Sequence, residues 1–407
     1  MFEFKCHVKN QFSKMRWIVF LACLFIFTTA RAQYITLSPE ATVSLITPEP
    51  GQEAIFTIYG HSAIRIHDPA NNLDTVFDYG IFDFQDPNFS LNFAKGYLRY
   101  MVGGRNFSRF TVAYKRFDRT IHEQILNLTQ EEKQRTFEFL ANNARPENRY
   151  YFYDYFYDNC ATKIRDVFQN ILGDKLVFDE SYVVPKHSFR DMVDSLSVYQ
   201  PWGDFGIDIC LGLPMDKKMS PLEYMFLPGY VFKGFSQATI KRGEQSVPLV
   251  KEASIYYQGT PQTLDVGIFT PKFVFWSLFF VLLAITFFGF KKDKVHYWID
   301  IILFSVMGLL GIFLLLLWTA TDHRAAANNL NLLWAIPLHF PAALLLIPRE
   351  KGHYLGNYFM IVSALMVLLL IFWPLIPQGY NAAFFPIVAT LGLRAGHLFY
   401  RLKKAGD

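Results

Sequence analysis

The sequence predicts two architectures in series: an exported α+β domain over residues 33–270, then a bundle of about five transmembrane helices over 271–407. Three observations predict it. Apolar residues make up 52% of the 407-residue chain, yet they crowd its start and its last third. The start is basic and then briefly apolar, as export requires. The middle mixes β-branched and aromatic runs with segments that carry helix-capping residues, the pattern of sheet and helix around one core. A net charge of +4 supplies no basic face that argues for nucleic acid, and the chain has no internal repeat.

Residues 1–32 read as a signal peptide, with an uncleaved membrane anchor as the competing reading. Lys5, Lys9, Lys14 and Arg16 form the basic start. The apolar run 17–29 is short for a span, and Ala30-Arg31-Ala32 offers small residues before Gln33. Cys6 and Cys23 fall in this segment, so the exported chain keeps Cys160 and Cys210, enough for one disulfide.

In the domain, 54–58 and 62–67 read as strands, Asp68-Pro69-Ala70-Asn71-Asn72 as a turn and 75–79 as the return strand. Antiparallel pairing then sets His61, which opens one strand, beside Asp78, which closes the other. The stretch Tyr97-Leu98-Arg99-Tyr100-Met101 reads as a buried strand or as a surface dipping into a bilayer. Thr129 with Glu132 is a capping box for a helix reaching Asn143. Residues 150–157 read as a strand, after which Asp158 or Asn159 caps a helix ending at Gly173. On that helix Cys160, Ile164, Val167, Phe168 and Ile171 share one face.

A thiol at a helix start and an imidazole on a strand are the two parts that cysteine nucleophiles use, and the helix dipole favours the thiolate. Asp78 is the choice to orient His61, with Tyr79, Asp83 and Asp158 as rivals. Asn159 reads as a helix cap or as an aid to the Cys160 N–H in holding an oxyanion. On residue types alone Cys160 is equally open to being a small buried apolar side chain or one half of a bridge to Cys210, and His61 to being a core histidine. The histidines lack ligand spacing with cysteines or carboxylates, so no metal is expected. No cofactor is implied.

Five apolar runs follow, near 273–290, 298–320, 331–347, 355–374 and 381–400, each about the ~20 residues that a helix needs to cross a bilayer. The third is the shortest and holds Pro337, His339 and Pro341. Basic loops follow the first, third and fifth runs (Lys291-Lys292-Asp293-Lys294, Arg349-Glu350-Lys351, Arg401-Leu402-Lys403-Lys404). The other two loops are poor in lysine. Basic loops stay inside, which puts the C-terminus in the cytoplasm and 33–270 outside, the side that the signal peptide also demands. Asn331 and His339 lie at the outer edge as candidates for substrate binding or for helix capping, and Trp318, Trp334 and Trp373 as interfacial anchors.

The segments Gly60-His61-Ser62-Ala63-Ile64-Arg65, Asp78-Tyr79-Gly80-Ile81-Phe82-Asp83-Phe84 and Asn159-Cys160-Ala161-Thr162-Lys163-Ile164-Arg165-Asp166 resemble the exported domain of the Lnb family, lipoprotein N-acyltransferases of Gram-negative bacteria. Thr321-Asp322-His323, Asn331-Leu332-Leu333-Trp334 and Pro337-Leu338-His339 resemble that family's membrane domain. The resemblance implies a permuted papain-like (NlpC-like) fold, since histidine precedes cysteine, the class that includes lecithin:retinol acyltransferase. It implies an acyl-enzyme on Cys160, with a membrane phospholipid as acyl donor and the N-terminal amine of diacylated lipoproteins as acceptor. The expected location is the inner membrane, with the catalytic domain in the periplasm. The alternatives are a membrane-anchored NlpC-like cysteine hydrolase (a peptidase, amidase or lipid deacylase) and a non-catalytic exported factor with a structural disulfide.

Overall fold

The computed structural model describes residues 35–406 except 84, 185, 262–263 and 349–352; the expected signal peptide lies outside the described residues. The N-terminal part holds strands β1 (Thr42–Pro48), β2 (Ala63–Asp68) and β3 (Leu73–Ile81), helix α1 (Phe89–Ala94), β4 (Arg99–Asn106) and α2 (Phe107–Arg116). It continues through β5 (Ile121–Leu126), α3 (Gln130–Asn143), β6 (Tyr150–Phe152), α4 (Cys160–Leu172) and β7 (Leu176–Val177). Helices α5 (Phe189–Ser197), α6 (Pro201–Cys210) and α7 (Pro228–Gln237) come next, then β8 (Thr239–Arg242), β9 (Gln245–Pro248) and β10 (Val250–Tyr257). Seven strands form one antiparallel sheet in the order β10-β5-β1-β2-β3-β4-β6.

The β2–β3 hairpin forms as the turn chemistry predicts, with Asn72 in the left-handed region at φ 51° and a register running from Asp68↔Leu73 to Ala63↔Asp78. Both faces of this hairpin are covered. Ile64, Ile66, Phe77 and Tyr79 pack with Cys160, Ile164, Val167 and Phe168 of α4, while Ala63 and Val76 pack with Phe107 and Phe110 of α2. The expected capping box starts α3 at Thr129, and of the two expected caps for α4 it is Asn159 that serves, in a capping box with Thr162. The segment 97–101 enters β4, with Leu98 buried and Tyr97 at the surface.

Two expected strands change. Residues 54–58 curl into bends and a 3-10 turn at Thr57–Tyr59, because Pro48, Pro50 and Gly51 upstream and Gly60 at φ 76° interrupt extension. The 150–157 run is strand only over Tyr150–Phe152. At Asp154 the side-chain Oδ1 accepts from the backbone N–H of Phe156 and of Tyr157, a local turn that replaces the ladder.

The C-terminal part contains α8 (Pro271–Lys291), α9 (Tyr297–Thr319), α10 (His339–Leu344), α11 (His353–Ile371) and α12 (Phe384–Gly406). Among the described residues three helices are long and apolar enough to cross a membrane: 271–291, 297–319 and 354–371. The fifth expected run forms the 23-residue α12, which carries Arg394, His397 and Arg401. The third is not one continuous helix. It breaks into a 3-10 turn at Leu330–Leu333 and the six-residue α10, since Pro337 and Pro341 lack the N–H that a continuous helix needs. This broken segment lies tight on α9 at two glycines. A Cβ on Gly308 would sit 2.1 Å from Phe340 N, and one on Gly311 2.1 Å from Ala335 O. Trp334, expected at the interface, is instead fully buried.

A buried ion pair ties the bundle together. Arg394 of α12 donates twice to Asp300 of α9, at 2.7 Å each, and once to Thr286 Oγ1 of α8 at 2.7 Å. Arg394→Met alone leaves the Asp300 carboxylate buried without a partner and is expected to cost about 3–5 kcal/mol. Adding Asp300→Leu should return most of that stability. Thermal unfolding of both variants in detergent is the check.

Candidate active site

Helix α4 begins at the thiol. Asn159 Oδ1 accepts from the backbone N–H of Ala161 and of Thr162, which satisfies two of the amides that a helix start leaves open. Cys160 is the first helical residue, so its own N–H has no intrahelical acceptor. The Asn159 amide donates to Tyr155 O and Phe226 O, both at 2.8 Å. Both amide hydrogens are thereby engaged, and the Asn159 side chain, expected at the substrate site, serves here as the helix cap.

On the other side of the sulfur, Gly80 ends the regular part of β3 at φ 89°. A Cβ at that position would stand 3.8 Å from Cys160 Cβ and 3.3 Å from the Tyr153 ring. The glycine therefore serves two needs at once: a left-handed backbone and room for the thiol. By strand alternation Asp78 shares the α2 side of the sheet, whereas Tyr79 faces α4. Thiol and imidazole approach from opposite faces and come within electrostatic reach at the strand end.

His61 Nε2 lies 2.6 Å from Asp78 Oδ1. Asp78 Oδ2 in turn takes Arg105 Nη2 at 2.9 Å, so the carboxylate is held from both sides. With Nε2 engaged, Nδ1 is the nitrogen available to the thiol. The His61 ring stacks 6.4 Å from Tyr114 and lies tilted 6.3 Å from Phe110, both on α2. Burial by itself lowers the imidazolium's pKa. Negative charge on Tyr114, Cys160 and Asp78, with the Asp78 hydrogen bond, outweighs it and holds His61 well above its usual value. Burial also raises the Tyr114 phenol, which stays neutral near pH 7.

Of the residues singled out from the sequence, Cys160, His61 and Asp78 come together. Among their rivals for orienting His61, Tyr79 accepts from Asn143 and Asp158 pairs with Lys163 at 2.7 Å. Asn331 and His339 stand apart. Asn331 donates to Asp208 O and Ile209 O, both at 3.0 Å, and accepts from Trp334 Nε1, while the two ring nitrogens of His339 meet Tyr358 Oη and Trp334 O. Both side chains are fully buried, and their polar atoms are taken up inside the protein. Cys160 and Cys210 are both free thiols, which removes the structural disulfide. Burial pushes Cys210 up to about 11, so it stays an inert thiol.

Sequence reasoning missed Arg105, Tyr114 and Tyr151. The Tyr151 hydroxyl is buried without a hydrogen-bond partner, and its phenol is raised first by burial and then by the charge of Cys160. Its place in an aromatic run was visible; its role depends on how that run turns. It also missed Asp194, Asp204 and Asp208, whose carboxylates lie within 4.8 Å of one another. Arg190 and Asn381 already hold the last two. Burial and the charges of Asp208 and Asp204 push Asp194 up to about 8, so the trio relieves its repulsion by holding a proton.

An imidazole braced by a carboxylate beside a helix-start thiol, on an α+β domain joined to apolar helices, defines a membrane-associated protein with a thiol–imidazole site. The model of the Lnb N-terminal periplasmic domain matches residues 37–194 and that of the Lnb transmembrane domain matches 263–405. The chain belongs to the Lnb family, and it is a membrane protein with a periplasmic part. Among curated proteins and solved structures no significant match was found.

The raised His61 pKa makes its ion pairing a stabilising term that is complete below the unfolded imidazole's ~6.5 and is lost as pH rises through the higher folded value. Asp78→Asn should lower that folded value and move the loss to lower pH. Titration of the His61 ring by NMR, alongside the pH profile of Cys160 alkylation, reads the shift.

Proposed function

We propose that the protein is a lipoprotein N-acyltransferase working through a thioester on Cys160. The observation that carries this reading is the His61–Asp78 contact at 2.6 Å beside a free, helix-start Cys160, in a chain of the Lnb family. The histidine-first order fits a permuted papain-like site. The proposed layout is a signal peptide over 1–32, a periplasmic catalytic domain over 33–270 and a membrane domain over 271–407 in the inner membrane, with the C-terminus in the cytoplasm.

In the first half-reaction the Cys160 sulfur, its proton on His61, attacks an ester carbonyl of a membrane phospholipid. The C–O bond breaks, the lysophospholipid alkoxide takes the proton back from His61, and a thioester remains. In the second, the free α-amine of a diacylglyceryl-cysteine lipoprotein attacks the thioester and loses a proton to His61. The C–S bond breaks and the sulfur leaves as thiolate, giving the amide product. Splitting the transfer into two displacements lowers each barrier. Asp78 keeps Nδ1 of His61 turned to the thiol. The backbone N–H of Cys160 and the Tyr151 hydroxyl are the donors for the oxyanion.

Incubation with labelled phospholipid should give a hydroxylamine-sensitive adduct on Cys160. Cys160→Ala and His61→Ala should abolish it, and Cys210→Ser should leave it intact. An unlabelled wild-type protein that is folded and membrane-embedded would sink the reading. A label that forms on Cys160 but passes to water rather than to a lipoprotein amine would favour a lipid deacylase. Tyr151→Phe, which removes no existing hydrogen bond, should slow adduct formation by about 10²-fold with thermal stability unchanged.

A further inference from the structure

The reaction needs more than a reactive carbon at the thiol: a long acyl chain must lie somewhere while its carbonyl is held at Cys160. A line of aromatic rings leads away from the thiol toward the membrane domain. Tyr153, which flanks Gly80 as Cys160 does, stands 4.6 Å from Tyr100, and Tyr100 stands 5.1 Å from Phe82. Phe82 is 5.8 Å from Phe89, Phe89 is 6.2 Å from Phe93, and Phe93 is 6.4 Å from His323. Rings at the outer end are open to solvent: Phe93 is 44% and Tyr97 45% exposed, and Leu91 beside them is 53% exposed.

The far end of this line is fixed to the membrane domain. His323 follows the apolar helix α9, which ends at Thr319, so it lies at the edge of a membrane span. Its ring meets Phe93 O at 2.9 Å, and Asp322 N donates to Lys95 O at 2.8 Å. Gly96, at φ 74°, lets the two backbones touch; a Cβ there would stand 2.8 Å from His323 N. Helix α1 is thereby pinned where a bilayer surface would lie, with its aromatic face unbroken from that surface to Tyr153. Five ring-to-ring steps of this size can follow a chain the depth of one leaflet, about 15 Å, half of the ~30 Å hydrocarbon core.

From this continuity we infer that Phe93, Phe89, Phe82, Tyr100 and Tyr153 form a track that holds the acyl chain of a glycerophospholipid, its carbonyl at Cys160 and its methyl end toward the bilayer. The exposed outer end of the line is an apolar patch of the kind that marks binding surfaces, and each methylene that lies against the rings leaves water. The headgroup, a few atoms from the ester, stays at the Cys160 end and makes no use of the track. The inference rests on the acyl-transfer reading and adds where the chain lies.

Full-length protein in phosphatidylethanolamine liposomes would be tested with two labelled donors, a dipalmitoyl phospholipid and p-nitrophenyl butyrate. The readout is the ratio of Cys160 acylation rates. Phe89→Ser and Phe93→Ser should lower the long-chain to short-chain ratio at least tenfold, while Ile255→Ser, on the opposite edge of the sheet, should leave it unchanged. A ratio unchanged in the track variants overturns the track and spares the acyl-transfer reading. Absence of acylation of wild-type protein by either donor overturns both. Should the serine variants fail to fold, a phospholipid with a diazirine at the end of its chain, added to Cys160→Ala protein, decides the matter. Crosslinks on Phe82, Phe89 or Phe93 support the track; crosslinks confined to the membrane helices defeat it.

Discussion

Asp78 lies opposite Ala63 across an antiparallel pair, and the whole site depends on that register. The side-chain period of a strand is two residues, so a slip of one would turn Asp78 toward α4 and bring Tyr79 under α2. His61 would then face a phenol, and the sulfur would meet a buried carboxylate. The register is held where it is because both faces of β3 are covered by apolar side chains that fit only one phase. The positions of His61, Asp78 and Gly80 are thus consequences of packing several residues away.

The two parts of the chain are joined by an apolar seam, where Phe205 meets Phe275 and Phe384, and by polar contacts beside it. The last carbonyls of α6 lack helical partners, as at any helix C-terminus, and the membrane domain supplies them: Asn331 binds Asp208 O and Ile209 O, and Asn329 binds Ile209 O and Cys210 O. Arg190 gathers Asp208, Asp216 and the carbonyl of Leu211, and Gly379 N donates to Asp216. Such groups are costly to bury unpaired, so each one satisfied across the boundary fixes how the periplasmic domain sits on the bundle. Asn331 is one of these junction groups, whereas His339 meets Tyr358 and Trp334 within the membrane part.

Local signals were the legible ones. The capping box at Thr129, the asparagine cap before Cys160, the turn at 68–72 and the face shared by Cys160, Ile164 and Val167 all act within one or two helical turns, and all appear in the fold. Where local signals competed, the tertiary context chose. The 54–58 and 150–157 runs have β composition, but proline, glycine and the Asp154 side chain redirect them. The 331–347 run is apolar, yet its two prolines break it into a bent segment packed against α9.

By itself the sequence determined the chemistry on offer: one thiol at a capped helix start, one histidine at a hairpin, and apolar runs that hold the domain to a membrane. Those follow from residue type and short-range spacing. Only the tertiary structure decided which groups meet. Arg105 reaches Asp78 from a neighbouring strand, Tyr151 presents an unpartnered hydroxyl near the sulfur, and rings from the residue after β3, from α1, β4 and the 150–157 turn align between His323 and Cys160. Contacts of that kind join residues far apart in the chain, and they exist only once the sheet has set its order and twist.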